Sequence, residues 1–193
     1  MSPYFASQPV TVVLFAVTVG SWVVLELRQG VRHRGGATNR DRGSYYVLVL
    51  GVAAGWVATA LSLKIPGVMM GSEPAPFIVG LVLAWSGVAL RGWAFHTLGA
   101  YFTFRVQTSA DQPVISTGPY RVLRHPGYTG IALVLIGFSL LYGTWIGLAA
   151  MAVLPTAGLV NRIRVEEHAL ESDLGPAYRA YAVGRRRLIP YIW

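Results

Sequence analysis

The 193-residue sequence has no cysteine, a single lysine (Lys64) and only eight acidic residues. The missing cysteines exclude a disulfide framework, a thiolate metal site and a cysteine nucleophile. Charged residues make up only 12% of the chain, against about 25% in an ordinary soluble domain. Disorder is excluded as well, because it requires low hydrophobicity and high charge, and here 54% of residues are apolar with a mean hydropathy of +0.50. No glycine-rich fingerprint follows a strand signal and no P-loop is present, which excludes a soluble nucleotide-binding domain. His33, His96 and His168 fall at no metal-ligand spacing, so no metal is expected. No internal repeat or low-complexity tract is visible.

What the sequence does have is uncharged runs, at Met1–Leu25, Gly43–Leu63, Pro74–Leu90 and Pro126–Asn161. A membrane-spanning helix takes roughly 20 apolar residues. The first two runs give one span each, Pro9–Leu27 and Ser44–Leu63. The third continues through Arg91 to Phe95, since an arginine near a helix end can snorkel. The fourth has 36 residues and reads as a helical hairpin, Tyr128–Leu141 and Trp145–Val160, turning at Gly143-Thr144 and kinked at Pro155. Gly51 and Gly55 form a GxxxG pattern in the second span, suited to close helix packing. The expected fold is therefore all-α. It is a polytopic membrane protein of five transmembrane helices forming a single integral membrane domain over residues 1–193, with three spans in 1–90 and the functional region in 91–193. A signal peptide in place of the first span would carry its basic residues ahead of the apolar stretch, whereas Arg28–Arg42 follow it.

Charge then gives an orientation. Five spans place segments 28–42, 91–125 and 162–193 on one side, and these hold all fifteen arginines. The positive-inside rule puts that side in the cytoplasm and the N-terminus outside, in a multi-pass cell-membrane protein. The net charge of +8 is thus read as topology and contact with membrane lipids; no nucleic acid partner is expected.

The polar residues concentrate on the cytoplasmic face. Segment Leu98–His125 is long for a connection and rich in aromatics (Tyr101, Phe102, Phe104, Tyr120), which argues for a binding loop. It ends in Arg-His-Pro-Gly-Tyr, with Pro126 suited to open the fourth span, placing His125 and Tyr128 at the membrane boundary. Beyond the fifth span, Arg162 and Glu166 share a helix face as i,i+4 partners. Leu174-Gly175-Pro176 ends that helix and begins another carrying Tyr178 and Tyr181, which stops near Gly184. Taken alone, Arg162 and Glu166 also read as a surface pair, His125 as an interfacial histidine with a structural hydrogen bond, and Arg185–Arg187 as a lipid headgroup anchor.

Together these residues resemble the isoprenylcysteine carboxyl methyltransferase family of integral membrane enzymes. The resemblance runs from about Leu90 to Trp193. It rests on Leu90-Arg91, Gln107, the block from Gly118 to Gly130, the helix Arg162–Glu167, Leu174-Gly175, Tyr178 and Tyr181, and Leu188-Ile189-Pro190. It implies a methyltransferase with a cytosolic S-adenosylmethionine pocket built from the 91–125 loop and the C-terminal tail. Carried over by position, Gln107, Gln112, Pro113, Val114, Ile115, Tyr120, His125, Pro126, Gly127, Tyr128 and Glu166 line that pocket. Arg162 faces the acceptor's carboxylate, with Arg91 nearby as the second catalytic arginine. The loop between Gln107 and Gln112 is shorter than in eukaryotic members. The arginine-rich composition resembles a GC-rich bacterial product, so the acceptor is read as a lipophilic small molecule or lipidated substrate bearing a carboxylate, hydroxyl, amine or thiol. Two other readings fit some of the same residues: an NADPH-dependent sterol or enone reductase using Arg121, Arg124 and Arg185–Arg187 for phosphates, and a non-catalytic membrane scaffold. The adjacent carboxylates Glu166-Glu167 repel a polyphosphate and suit a cation, favouring the methyltransferase.

Overall fold

The computed structural model describes residues 3–30, 38–71, 73–102, 106–108, 113–189 and 193. Its helices are α1 (Pro9–Gly30), α2 (Ser44–Ser62), α3 (Pro74–Leu98), α4 (Pro126–Tyr142), α5 (Trp145–Leu174) and α6 (Pro176–Ala182). By length and composition, α1, α2, α3 and α5 can cross a membrane, while α4 is apolar but shorter, at 17 residues. At 1.5 Å per residue α4 reaches about 25 Å, a little under a hydrocarbon core of about 30 Å. The hairpin is formed as its sequence suggests. Pro126 is the first residue of α4, Gly143 closes it with φ 69°, and the Thr144 hydroxyl accepts the Gly147 amide at 3.0 Å to start α5.

The helix read as a span over Trp145–Val160 extends further: α5 is one helix of 30 residues, continuous through Pro155 and on past Arg162 and Glu166. No glycine or proline interrupts it between Gly158 and Gly175, so the change from apolar to polar residues alters its surroundings and not its backbone. The fold is all-α as expected, with one short pair of strands beside the helices. Thr38–Asn39 (β1) and Gln107–Thr108 (β2) form a short antiparallel pair, registered Thr38 to Thr108 and Asn39 to Gln107.

In lipid, helix association depends on close van der Waals approach rather than on a hydrophobic drive, and the helix pairs here meet at glycines. On α3 and α4, a Cβ at Gly87 would stand 2.6 Å from the Gly130 carbonyl oxygen, and one at Gly137 2.6 Å from the Ala84 amide. On α2 and α5, a Cβ at Gly51 would stand 2.6 Å from the Leu154 carbonyl oxygen, and Gly158 lies as tightly on Leu48. Gly51 and Gly55 of the GxxxG pattern thus both face α5, Gly55 against Met151.

The connections sort to opposite ends. At one end, the Met70 amide donates to Gly143 at 2.8 Å and the Trp145 amide to Val68 at 3.0 Å, fastening the α2–α3 loop to the hairpin tip. At the other end, β1 and β2 join the α1–α2 and α3–α4 connections, and the Arg40 amide donates to Val106 at 2.8 Å. The tail is laid over the same end, since the amides of Arg124 and His125 donate to the carbonyls of Arg186 and Arg187 at 2.7 and 3.0 Å.

Candidate active site

A cavity of about 490 Å³ opens at the arginine-rich end. Its outer part is walled by Leu98, Val114, Ile115 and Tyr120, with Leu170 and Leu174 of α5 and Tyr178 and Tyr181 of α6. Its inner arm runs between α1, α2 and α4 along Trp22, Val49, Val52, Trp56, Ile131 and Phe138. Polar groups meet where the two parts join: Glu26, Arg91, His125, Tyr128, Arg162 and Glu166.

Both arginines are buried, each 4% exposed. Arg91 therefore does not snorkel. It turns inward, donating from Nε and Nη2 to the two Glu26 carboxylate oxygens at 2.5 and 3.0 Å and from Nη1 to the Gly127 carbonyl at 3.0 Å. Its guanidinium lies 4.5 Å from the Phe95 ring centroid. A charge at this depth is costly unless paired, and α1 supplies the pair. Arg162 donates from Nη1 to Asp41 at 2.7 Å and from Nε to the Tyr128 hydroxyl at 2.8 Å, and that hydroxyl donates to Glu166 at 2.5 Å. The i,i+4 relation of Arg162 to Glu166 is thus bridged by Tyr128 from the neighbouring helix. Burial raises the Asp41 carboxyl, but the Ser44 hydroxyl, the Tyr45 amide and the Arg162 guanidinium outweigh it and hold the group below its ordinary value.

Glu167 organises a second cluster. Arg124 Nη1 and Arg187 Nε each donate to it at 2.8 Å, and His125 Nε2 lies 3.3 Å from it. Arg185 Nη1 donates to the Tyr181 carbonyl at 2.5 Å. The reading of Arg185–Arg187 as a headgroup anchor is corrected for these two: both fasten the tail to the helices. The Tyr181 hydroxyl donates to the Tyr120 and Leu123 carbonyls at 3.2 and 3.4 Å.

Of the residues singled out by sequence, Arg91, Pro113, Val114, Ile115, Tyr120, His125, Gly127, Tyr128, Arg162 and Glu166 line the cavity. Pro126 does not; it is fully buried at the first turn of α4. Gln112 and Phe104 lie outside the described residues, and Gln107 is described only as backbone of β2. Sequence reasoning missed Glu26, Asp41, Ser44 and Trp56, because the family resemblance begins after them. One signal was available for Glu26, which is a lone carboxylate at the end of an otherwise uncharged span.

The sequence model of the isoprenylcysteine carboxyl methyltransferase (ICMT) family matches residues 78–172. The chain is 30% identical over 116 residues to a probable protein-S-isoprenylcysteine O-methyltransferase of Oryza sativa subsp. indica, covering 59% of this chain and 61% of that one. It is 32% identical over 106 residues to the protein-S-isoprenylcysteine O-methyltransferase of Saccharomyces cerevisiae, covering 54% of this chain and 44% of that one. It is 28% identical over 112 residues to the uncharacterized protein YpbQ of Bacillus subtilis, covering 58% of this chain and 67% of that one. The matched segment is therefore about three fifths or less of the two named methyltransferases. The fold resembles the solved structure of a eukaryotic intramembrane Ras methyltransferase ICMT with a TM-score of 0.67, at 19% identity, covering 97% of this chain and 70% of that one. With its long apolar helices, this chain is a multi-pass membrane protein, similar to the isoprenylcysteine carboxyl methyltransferase family in sequence over residues 78–172 and in fold over nearly its whole length.

Proposed function

We propose that the chain is a five-span membrane methyltransferase that uses S-adenosylmethionine to methylate a lipophilic or amphiphilic acceptor at its cytoplasmic face. The observation that carries this reading is the continuity of the cavity, whose aromatic outer part and apolar inner arm meet at Arg91, Arg162 and Glu166. The outer part suits the cofactor. Leu98, Val114, Ile115 and Tyr120 offer a flat apolar slot for adenine, and Glu166 accepts hydrogen bonds from a ribose or amino group. Gln107, Gln112, Pro113, His125, Pro126, Gly127 and Tyr128 complete the binding set, Pro126 by opening α4 where His125 and Tyr128 must face the cavity. When bound, S-adenosylmethionine supplies a methyl carbon activated by a sulfonium.

The inner arm holds the apolar chain of the acceptor, and Arg162 holds its carboxylate in line with the methyl carbon. Asp41 and Tyr128 fix that guanidinium beforehand, so orientation costs little at the moment of reaction. A carboxylate is already ionised at neutral pH, and no general base is required. Arg91, its charge balanced by Glu26, completes the field around the reacting oxygen. Three of the five arginines that the reductase reading assigns to phosphates are otherwise engaged, Arg124 and Arg187 with Glu167 and Arg185 with the Tyr181 carbonyl.

The test is a titration of the detergent-solubilised protein with S-adenosylhomocysteine and, separately, NADPH. A hundredfold excess of S-adenosylhomocysteine over its Kd is expected to stabilise the fold by about 2.7 kcal/mol, and Glu166→Ala to shrink that shift. A shift by NADPH with none by S-adenosylhomocysteine overturns the methyltransferase in favour of the reductase.

A further inference from the structure

The aromatic wall of the cavity contains two tyrosines one helical turn apart with opposite hydrogen-bonding states. Tyr181 and Tyr178 both lie on α6, are 9% and 6% exposed, and line the cavity. The Tyr181 hydroxyl is satisfied by the carbonyls of Tyr120 and Leu123. The Tyr178 hydroxyl is buried and has no hydrogen-bond partner. A buried hydroxyl left without a partner costs free energy that a phenylalanine in its place would avoid. Packing alone therefore does not account for a tyrosine at 178, since its ring fills the same space without the oxygen.

The surroundings narrow the missing partner. Tyr178 belongs to an apolar cluster with Ala94, Tyr120 and Tyr181, against which Leu98, Val114, Ile115 and Leu174 also pack. Burial first, and then the negative charge of Glu167 and Glu166, push its phenol upward, so the group stays protonated and acts as a hydrogen-bond donor. A ligand reaching it thus presents an acceptor atom on a flat, otherwise apolar surface. The ring nitrogens of a purine have this character. A sulfonium and an ammonium do not, because neither can accept.

Resting on the cofactor reading above, we infer that the Tyr178 hydroxyl donates to a ring nitrogen of the cofactor's adenine and is the residue that reads the base. Tyr120 and the aliphatic wall grip any flat ring; Tyr178 supplies the polar recognition. Tyr181 instead builds the wall through its two carbonyl contacts.

The test is calorimetric titration of S-adenosylhomocysteine, with thermal unfolding, on the full-length protein, Tyr178→Phe and Tyr181→Phe. Tyr178→Phe is expected to weaken binding about tenfold, the loss of one buried hydrogen bond, while the ligand-free protein unfolds at the same or a higher temperature. Tyr181→Phe is expected to lower the ligand-free unfolding temperature. A merely structural Tyr178 predicts the reverse, a lower unfolding temperature with unchanged affinity. Analogues of S-adenosylhomocysteine with N1, N3 or N7 replaced by carbon locate the contact: one should bind the unsubstituted protein about tenfold more weakly and be indifferent to Tyr178→Phe. Binding of S-adenosylhomocysteine unaffected by Tyr178→Phe, or equal affinity for all three analogues, overturns the inference and leaves the cofactor reading intact. Absence of binding to the unsubstituted protein overturns the cofactor reading itself.

Discussion

At the scale of single residues, the site consists of charges that are paired before any ligand arrives. Arg162 has Asp41 and Tyr128, Arg91 has Glu26 and Gly127, and Glu167 has Arg124 and Arg187. Such pairing offsets desolvation and fixes the direction of each guanidinium, which is what a positioning group requires. Arg162→Ala and Arg91→Ala are each expected to lower methyl transfer by about 10²-fold, the usual loss for one electrostatic group aimed at a reaction centre. Arg162→Lys should recover only part of that loss, because an ammonium cannot serve Asp41, Tyr128 and an acceptor oxygen from a planar fork. S-adenosylhomocysteine affinity, measured beside turnover on the same preparations, should change much less. Unchanged turnover in both alanine variants would end the catalytic assignment.

At the scale of helices, the cavity exists because α3 closes on α4 and α2 on α5 through glycine contacts, which brings Arg91 over Gly127 and Arg162 beside Asp41. Gly137→Val places side-chain atoms against the α3 backbone at Ala84 and is expected to destabilise the protein by about 1–3 kcal/mol, with the helices spread and activity lost. Gly20→Ala, where a Cβ meets nothing within 4 Å, should leave stability unchanged or raise it by up to about 1 kcal/mol. Thermal unfolding in detergent compares the two, and equal behaviour would refute the close-packing account. These contacts were only partly legible. The GxxxG at Gly51 and Gly55 stands out in the sequence, but Gly80, Gly87, Gly130 and Gly137 are spaced by seven, and their function appears only when two helices are set side by side.

At the scale of the whole molecule, the ends differ in chemistry. The α2–α3 loop and the hairpin tip meet at one end, and the loops and tail carrying the arginines gather at the other. Reporter fusions at His33, Met70 and Trp193 are expected to place the first and last in the cytoplasm and Met70 outside, as the positive-inside rule requires of five spans. Met70 on the same side as Trp193 would refute that topology, and α4, the shortest of the apolar helices, would be the segment to re-examine. The arrangement also gives an amphiphile a consistent path, with its polar group at the arginine-rich end and its chain along Trp22, Val52 and Trp56.

Hydropathy and helix punctuation determined most of the architecture by themselves, because a chain in lipid must satisfy its backbone within each helix and so writes its spans as uninterrupted apolar runs. Pro126, Gly143, Thr144, Gly175 and Pro176 mark helix ends for reasons local to a few residues, and those ends fall where they predict. Part of the cavity lining was legible too: Tyr120, His125, Tyr128, Arg162 and Glu166 stand out in the sequence and all line the cavity. Glu26 and Asp41 were not, since their partners Arg91 and Arg162 are 65 and 121 positions away. A sequence records neighbours along the chain, whereas a buried charge needs a neighbour in space. Only the packing of α1 and the α1–α2 connection against the later helices decided which carboxylates would answer those two arginines, and only the packing of α6 decided which of its tyrosines would be left with a buried hydroxyl that has no partner.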